Sequence, residues 1–183
     1  MKHNSEIPVL GFAAYSGTGK TSLLTRVLPL LKQQNIRTAV IKHAHHAFDI
    51  DRRGKDSYEL RKAGATQMLI GSEKRWALIV ENDPGTRTTL ADFIAQLDHD
   101  KLDLILVEGF KPAVIPKIEL VRPSLGMKPF YPEDKSIIAV ATDDKLPVTT
   151  DLPILDLNQP GQIVEFIVDH FIDSSGNNAH TGT

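Results

Sequence analysis

The period of the apolar positions changes several times along the chain, and each change marks an element. Val9-Leu10-Gly11-Phe12-Ala13 is a continuous apolar run, the pattern of a strand covered on both faces. After a polar Gly-rich stretch, Leu24, Val27, Leu28 and Leu31 fall on one helical face, with Asn35 placed to end that helix in a left-handed conformation. Pro29 lies inside it and predicts a bend. Arg37 to Ile41 reads as a second strand, so the three elements predict a parallel strand-helix-strand unit with a right-handed crossover.

Further on the pattern is less regular. Lys42 to Arg53 is polar and without period, which predicts a mobile loop. Ser57 is placed to cap a short helix that runs through Ala63 and stops at Gly64. Gln67 to Ile70 and Trp76 to Val80 read as strands joined around Gly71-Ser72, an inserted pair inside the strand-helix series. Thr89-x-x-Asp92 is a capping-box pattern ahead of the helical face Leu90, Phe93, Ile94 and Leu97. Asp103 to Val107, Ile118 to Val121, Ile137 to Ala141 and Ile154 to Leu157 are further short apolar runs. A last helix is predicted from an Asn158 cap, with Pro160 in its first turn and Ile163, Phe166, Ile167 and His170 on one face. The Ser/Gly/Asn/Thr-rich segment 174–183 reads as a disordered tail.

Composition narrows the function classes. The 183 residues contain no cysteine, which excludes thiol catalysis, disulfide staples and Cys-ligated zinc or iron–sulfur clusters, and suits a reducing cytoplasm. Lys plus Arg (21) nearly balances Asp plus Glu (23), so no nucleic-acid-sized basic field is expected. Met1 to Ile7 has no apolar core and no run approaches ~18 apolar residues, which predicts a cytoplasmic protein without a membrane partner.

The chemistry concentrates after the first strand. Ala14-Tyr15-Ser16-Gly17-Thr18-Gly19-Lys20-Thr21, leading through Ser22 into a helix, has the strand-loop-helix setting of a phosphate-binding loop. Its glycines let successive N–H groups converge on a phosphate, Lys20 reaches the β/γ oxygens, and Thr21 is placed to hold Mg²⁺. The first position is Ala14 where the usual pattern has Gly. The fold expected is therefore α/β: a P-loop NTPase fold with a mostly parallel, doubly wound sheet and an inserted strand pair, a single nucleotide-binding domain over residues 1–173. Glu108 ends an apolar strand and should reach the same sheet edge, able to bind Mg²⁺ or orient an attacking water, and Gly109 permits close approach to the γ-phosphate. Lys42, His43, His45, His46, Asp49 and Asp51 follow the second strand. They read as polyanion contacts with Asp51 near the Mg²⁺, or as a transition-metal site. Asp143 or Asp144, after a later strand, can accept the N1–H and 2-amino protons of guanine and so select GTP.

Taken together, Ser16 to Thr21, Ile41-Lys42-His43 with His45-His46, Asp51 with Gly54-Lys55-Asp56-Ser57, Ala63-Gly64-Ala65, Val107-Glu108-Gly109-Phe110-Lys111 and Pro116-Lys117-Ile118-Glu119 resemble one family. It is the MobB-type molybdopterin guanine dinucleotide biosynthesis adaptors. The resemblance implies a dimeric GTP binder with slow hydrolysis at most, assisting a separate guanylyltransferase that acts on Mo-molybdopterin. No Asn-Lys-x-Asp base-reading motif is present. Two other classes share the loop: a nickel-insertion metallochaperone GTPase and a small-molecule kinase or ligase. The inserted strand pair, with Met68, Leu69, Ile70, Trp76, Leu78 and Ile79, also predicts a two-fold homodimer in which another sheet edge completes it.

Overall fold

The computed structural model describes residues 7–44, 48–83, 85–110 and 113–173, so His45, His46 and the 174–183 tail lie outside the described residues. In chain order the strands are β1 (Val9–Ala13), β2 (Thr38–Lys42), β3 (Gln67–Ser72), β4 (Arg75–Val80), β5 (Leu104–Glu108), β6 (Lys117–Val121), β7 (Ile137–Thr142) and β8 (Ile154–Asp156). The α-helices are α1 (Lys20–Gln33), α2 (Asp56–Lys62), α3 (Leu90–Ile94) and α4 (Pro160–Ile167). The chain divides into two compact units, Met1–His43 with Leu90–Thr183, and Ala44–Thr89.

The larger unit is built on a six-stranded sheet in the order β2-β5-β1-β6-β7-β8, with every ladder parallel. Alternation along β5 explains its two-sided burial. Leu104 and Leu106 join Leu10, Phe12, Ile118, Leu120, Ala139 and Ala141 under α1 and α4, while Ile105 and Val107 face the opposite side. Helix α1 contributes Leu23, Leu24, Val27 and Leu31 to the first face, carries Pro29 inside it, and is followed by Asn35 at φ 61°. The opposite face is covered differently. Leu90, Ile94, Leu97, Phe110, Ala113 and Ile115 pack on Ile105 and Val107, and a second group of Phe130, Tyr131, Leu146 and Leu152 packs on Val121, Ile137 and Val140.

The link from β5 to β6 is short and has no helix among its described residues, although both strands flank β1. Its end enters the sheet beside β1, where the Gly11 N–H donates to the Pro116 carbonyl at 2.8 Å as a rung of the β1–β6 ladder. A Cβ at Gly11 would stand 2.9 Å from Lys117 Cγ and 3.2 Å from Ile115 Cδ1. Lys117 cannot simply swing aside, because its buried ammonium donates to Asp134 at 3.1 Å and to Ser136 at 2.7 Å.

Two local expectations are corrected. Helix α2 starts at Asp56 with Lys55 as its N-cap, so Ser57 is inside the first turn rather than capping it. Helix α4 is flanked by Gln159, not Asn158, and it continues as a π-helical turn over Val168–Ile172.

In the smaller unit, β3 and β4 form an antiparallel hairpin in the register Leu69↔Leu78, Gly71↔Trp76 and Gln67↔Val80. Leu69, Trp76, Leu78 and Val80 share one face and are all exposed, whereas Met68, Ala77 and Ile79 on the other face are half-buried. Here Arg61, on α2, is a buried charge whose guanidinium donates to Asp51 at 2.6 Å, to Asp49 at 2.7 Å, and to Glu81. The Arg61 hydrogen bonds hold the Asp51 carboxyl below the usual aspartate range.

Two outcomes are expected. Gly11→Val should lower the unfolding free energy by about 1–3 kcal/mol in urea titrations, because the added carbons meet a pinned side chain and the β5–β6 link. Asp51→Asn should lower the urea midpoint at pH 7. A carboxyl with a depressed folded pKa stabilises above its unfolded value, so the gap to wild type should close as pH falls below about 4.

Candidate functional site

At the carboxyl edge of β1 the chain turns through Tyr15 to Gly19 before α1 begins at Lys20. Gly17 (φ 80°) and Gly19 (φ 102°) supply the two left-handed residues of the turn, which a side chain would strain. Thr18 is buried, and its hydroxyl donates to the Tyr15 carbonyl at 2.9 Å. Ser16, Gly17, Thr21 and Ser22 are exposed around the opening. The Lys20 ammonium donates to the Ala14 carbonyl at 3.0 Å and to the Tyr15 carbonyl at 3.3 Å.

On the β5 side the ladders bring more of the expected residues to this edge. Lys42 is in register with Glu108, and Glu108 with Phe12. Lys42 Nζ stands 3.8 Å from Glu108 Oε2, the lysine mostly exposed and the carboxylate only 14% exposed. The His43 N–H donates to the Glu108 carbonyl at 2.9 Å, and its ring lies 4.7 Å from that of Phe110. Gly109 has φ 93°, and a Cβ there would be 3.0 Å from the His43 carbonyl oxygen. The chain at 109 can pass His43 only as glycine.

On the β6 side stands a residue that the sequence reading missed. Arg122, immediately after β6, donates from Nε to the Thr18 carbonyl of the loop at 2.8 Å and pairs through Nη1 with Asp143 Oδ2. The same rule that selected Glu108, a charged residue at the carboxyl end of a buried strand beside β1, would have selected it. Asp143 is thus engaged by a guanidinium, while Asp144 accepts the Lys145 N–H at 2.7 Å. Phe130 stacks on Tyr15 with ring centroids 4.5 Å apart, and its N–H donates to the buried Glu119 at 2.7 Å. Burial pushes the Glu119 carboxyl up, opposed by the N–H groups of Phe130 and Tyr131.

Asp51 belongs to the smaller unit, where Arg61 holds both its oxygens, and His46 lies outside the described residues. Among the described residues no group of three or more His, Cys, Asp or Glu side chains could hold a metal ion. That arrangement is compatible with Mg²⁺, which keeps several waters and takes one or two carboxylates together with substrate phosphates. A triphosphate also fits: the loop is open above Gly17, where an added Cβ would meet nothing within 4 Å, and the Lys20 ammonium reaches back to the Ala14 and Tyr15 carbonyls of the same loop.

Comparison with known proteins agrees with this geometry. The family model MobB, molybdopterin guanine dinucleotide synthesis protein B, matches residues 9–143. The chain is 45% identical over 177 residues to the molybdopterin-guanine dinucleotide biosynthesis adapter protein of Escherichia coli (strain K12), covering 96% of this chain and 100% of that one. It is 42% identical to the Haemophilus influenzae adapter protein over 90% of this chain and 89% of the relative. The crystal structure of Bacillus subtilis MobB superposes with a TM-score of 0.69 at 23% identity, covering 90% of this chain and 98% of that one, which supports the fold. With a loop, a carboxylate and a sheet order of this kind, and a family model spanning most of the sheet, the chain belongs to the MobB family.

Proposed function

We propose that this chain is a GTP-binding adaptor of molybdopterin guanine dinucleotide synthesis, which holds Mg²⁺–GTP on the Ser16–Ser22 loop and assists a separate cytoplasmic guanylyltransferase acting on Mo-molybdopterin. The observation that carries the nucleotide part is the turn after β1, where Gly17 and Gly19 take left-handed conformations and Lys20, at the start of α1, donates to the Ala14 and Tyr15 carbonyls of its own loop. Triphosphate oxygens would replace them with charge-assisted bonds, while α1 presents its N-terminus to the same anion. The Thr21 hydroxyl and Glu108 would hold Mg²⁺, which would supply charge neutralisation at the phosphates. Glu108 is also suited to orient a water for slow hydrolysis, and Lys42 and His43 to contact a polyanion at the same edge. The adaptor part rests on the relatives, which are adapter proteins of this synthesis.

A homodimer belongs to the same proposal. A two-stranded hairpin is marginal on its own in water, and four exposed apolar side chains share one face of this one. A second copy laid on that face by a two-fold axis would cover both surfaces at once.

Lys20→Ala should weaken GTP binding at least tenfold in calorimetry, since it removes an interaction worth roughly 1.5–3 kcal/mol in a desolvated site. Unchanged affinity in a folded variant would remove the phosphate-loop reading. Glu108→Gln should slow GTP hydrolysis far more than it changes GDP affinity, and equal losses would mean a general binding defect. The paired substitutions Leu69→Lys and Leu78→Glu should give a monomer by light scattering, with Trp76 emission shifted to the red. Guanylyl transfer reconstituted with the partner enzyme, Mo-molybdopterin and GTP should be faster with the wild-type chain than without it.

A further inference from the structure

One guanidinium touches both ends of the nucleotide edge. Arg122 follows β6 and reaches back to the Thr18 carbonyl at 2.8 Å, forward to the Asp143 carboxylate after β7, and lies over Gly19, where an added Cβ would stand 3.6 Å from Nη2. Thr18 is buried, while the Arg122 and Asp143 side chains are 31% and 21% exposed.

The geometry of a peptide plane gives this tie a consequence. In a trans peptide the C=O of residue 18 and the N–H of residue 19 point in opposite directions. A donor that holds the Thr18 carbonyl outward therefore holds the Gly19 N–H inward, and that N–H is one of the loop donors a phosphate needs. Glycine at 19 could otherwise rotate with little resistance, because nothing on its own Cα restrains it. Arg122 in turn is held by Asp143 through a charge-assisted bond, which fixes a long and flexible side chain in the one geometry that serves Thr18.

We propose that Arg122 is a positioning residue that aims the Gly19 N–H at the phosphate, and that Asp143, which follows β7, acts on phosphate binding through it. The inference rests on the reading that the Ser16–Ser22 loop binds a triphosphate. It gives Asp143 a role for a ligand that has no base at all.

Inorganic tripolyphosphate with Mg²⁺ is the probe, titrated calorimetrically into wild type, Arg122→Ala, Arg122→Lys, Asp143→Asn and the Arg122→Ala/Asp143→Asn double variant, with thermal midpoints checking the fold. Arg122→Ala should weaken tripolyphosphate binding roughly tenfold and Asp143→Asn roughly three- to tenfold, and the double variant should be no weaker than Arg122→Ala alone. Arg122→Lys should resemble Arg122→Ala, because a single ammonium cannot serve both acceptors in the forked geometry. Unchanged tripolyphosphate affinity in folded Asp143→Asn, full rescue by Lys, or losses that multiply in the double variant would each overturn the proposal. A wild-type protein that binds neither tripolyphosphate nor GTP would instead remove the phosphate-loop reading on which the proposal stands.

Discussion

The main-chain pairing of β1 with β5 on one side and β6 on the other governs the rest of the larger unit. In parallel ladders all carboxyl ends reach the same edge, so the loop after β1 is flanked by whatever follows β5 and β6. Those followers are Glu108 with Gly109 and Arg122. A carboxylate thus arrives on one flank of the phosphate loop and a guanidinium on the other, with Lys42 and Asp143 one strand further out on each side. The same pairing brings the end of the short β5–β6 link into the sheet beside β1, where Ile115 and Lys117 leave Gly11 no room for a side chain.

Buried charge does the local positioning. Every residue of β6 is buried, yet Lys117 and Glu119 are on it, and neither is left without partners. Glu119 accepts the N–H groups of Phe130 and Tyr131, both at 2.7 Å, and so sets the chain that stacks Phe130 against Tyr15 at the phosphate loop. Lys117 holds Asp134 and Ser136 a few residues later. Satisfied groups of this kind add little net stability compared with an apolar replacement, but removing one partner is costly, so they define one loop arrangement rather than several. Arg61 acts similarly within the smaller unit, gathering three carboxylates from two stretches of chain, Asp49 with Asp51 and Glu81.

The sequence by itself determined the element types, the phosphate loop and the family. Apolar runs and helical spacing are local, and so is the chain Ser16 to Thr21, whose spacing alone implies a phosphate ligand. Placing Glu108 at the carboxyl edge of the sheet also needed only local information, since the end of a buried parallel strand is a position on that edge wherever the strand sits in the order. Cap residues were less legible, because Ser57 and Asn158 are good caps by type while the backbone starts each helix beside them. Only the tertiary structure decided that β5 stands between β1 and β2, that Arg122 meets Thr18 across 104 positions of sequence, and that Asp143 is paired rather than open. Strand order and ion pairing depend on which distant surfaces can be buried together. No periodicity within one segment records that choice.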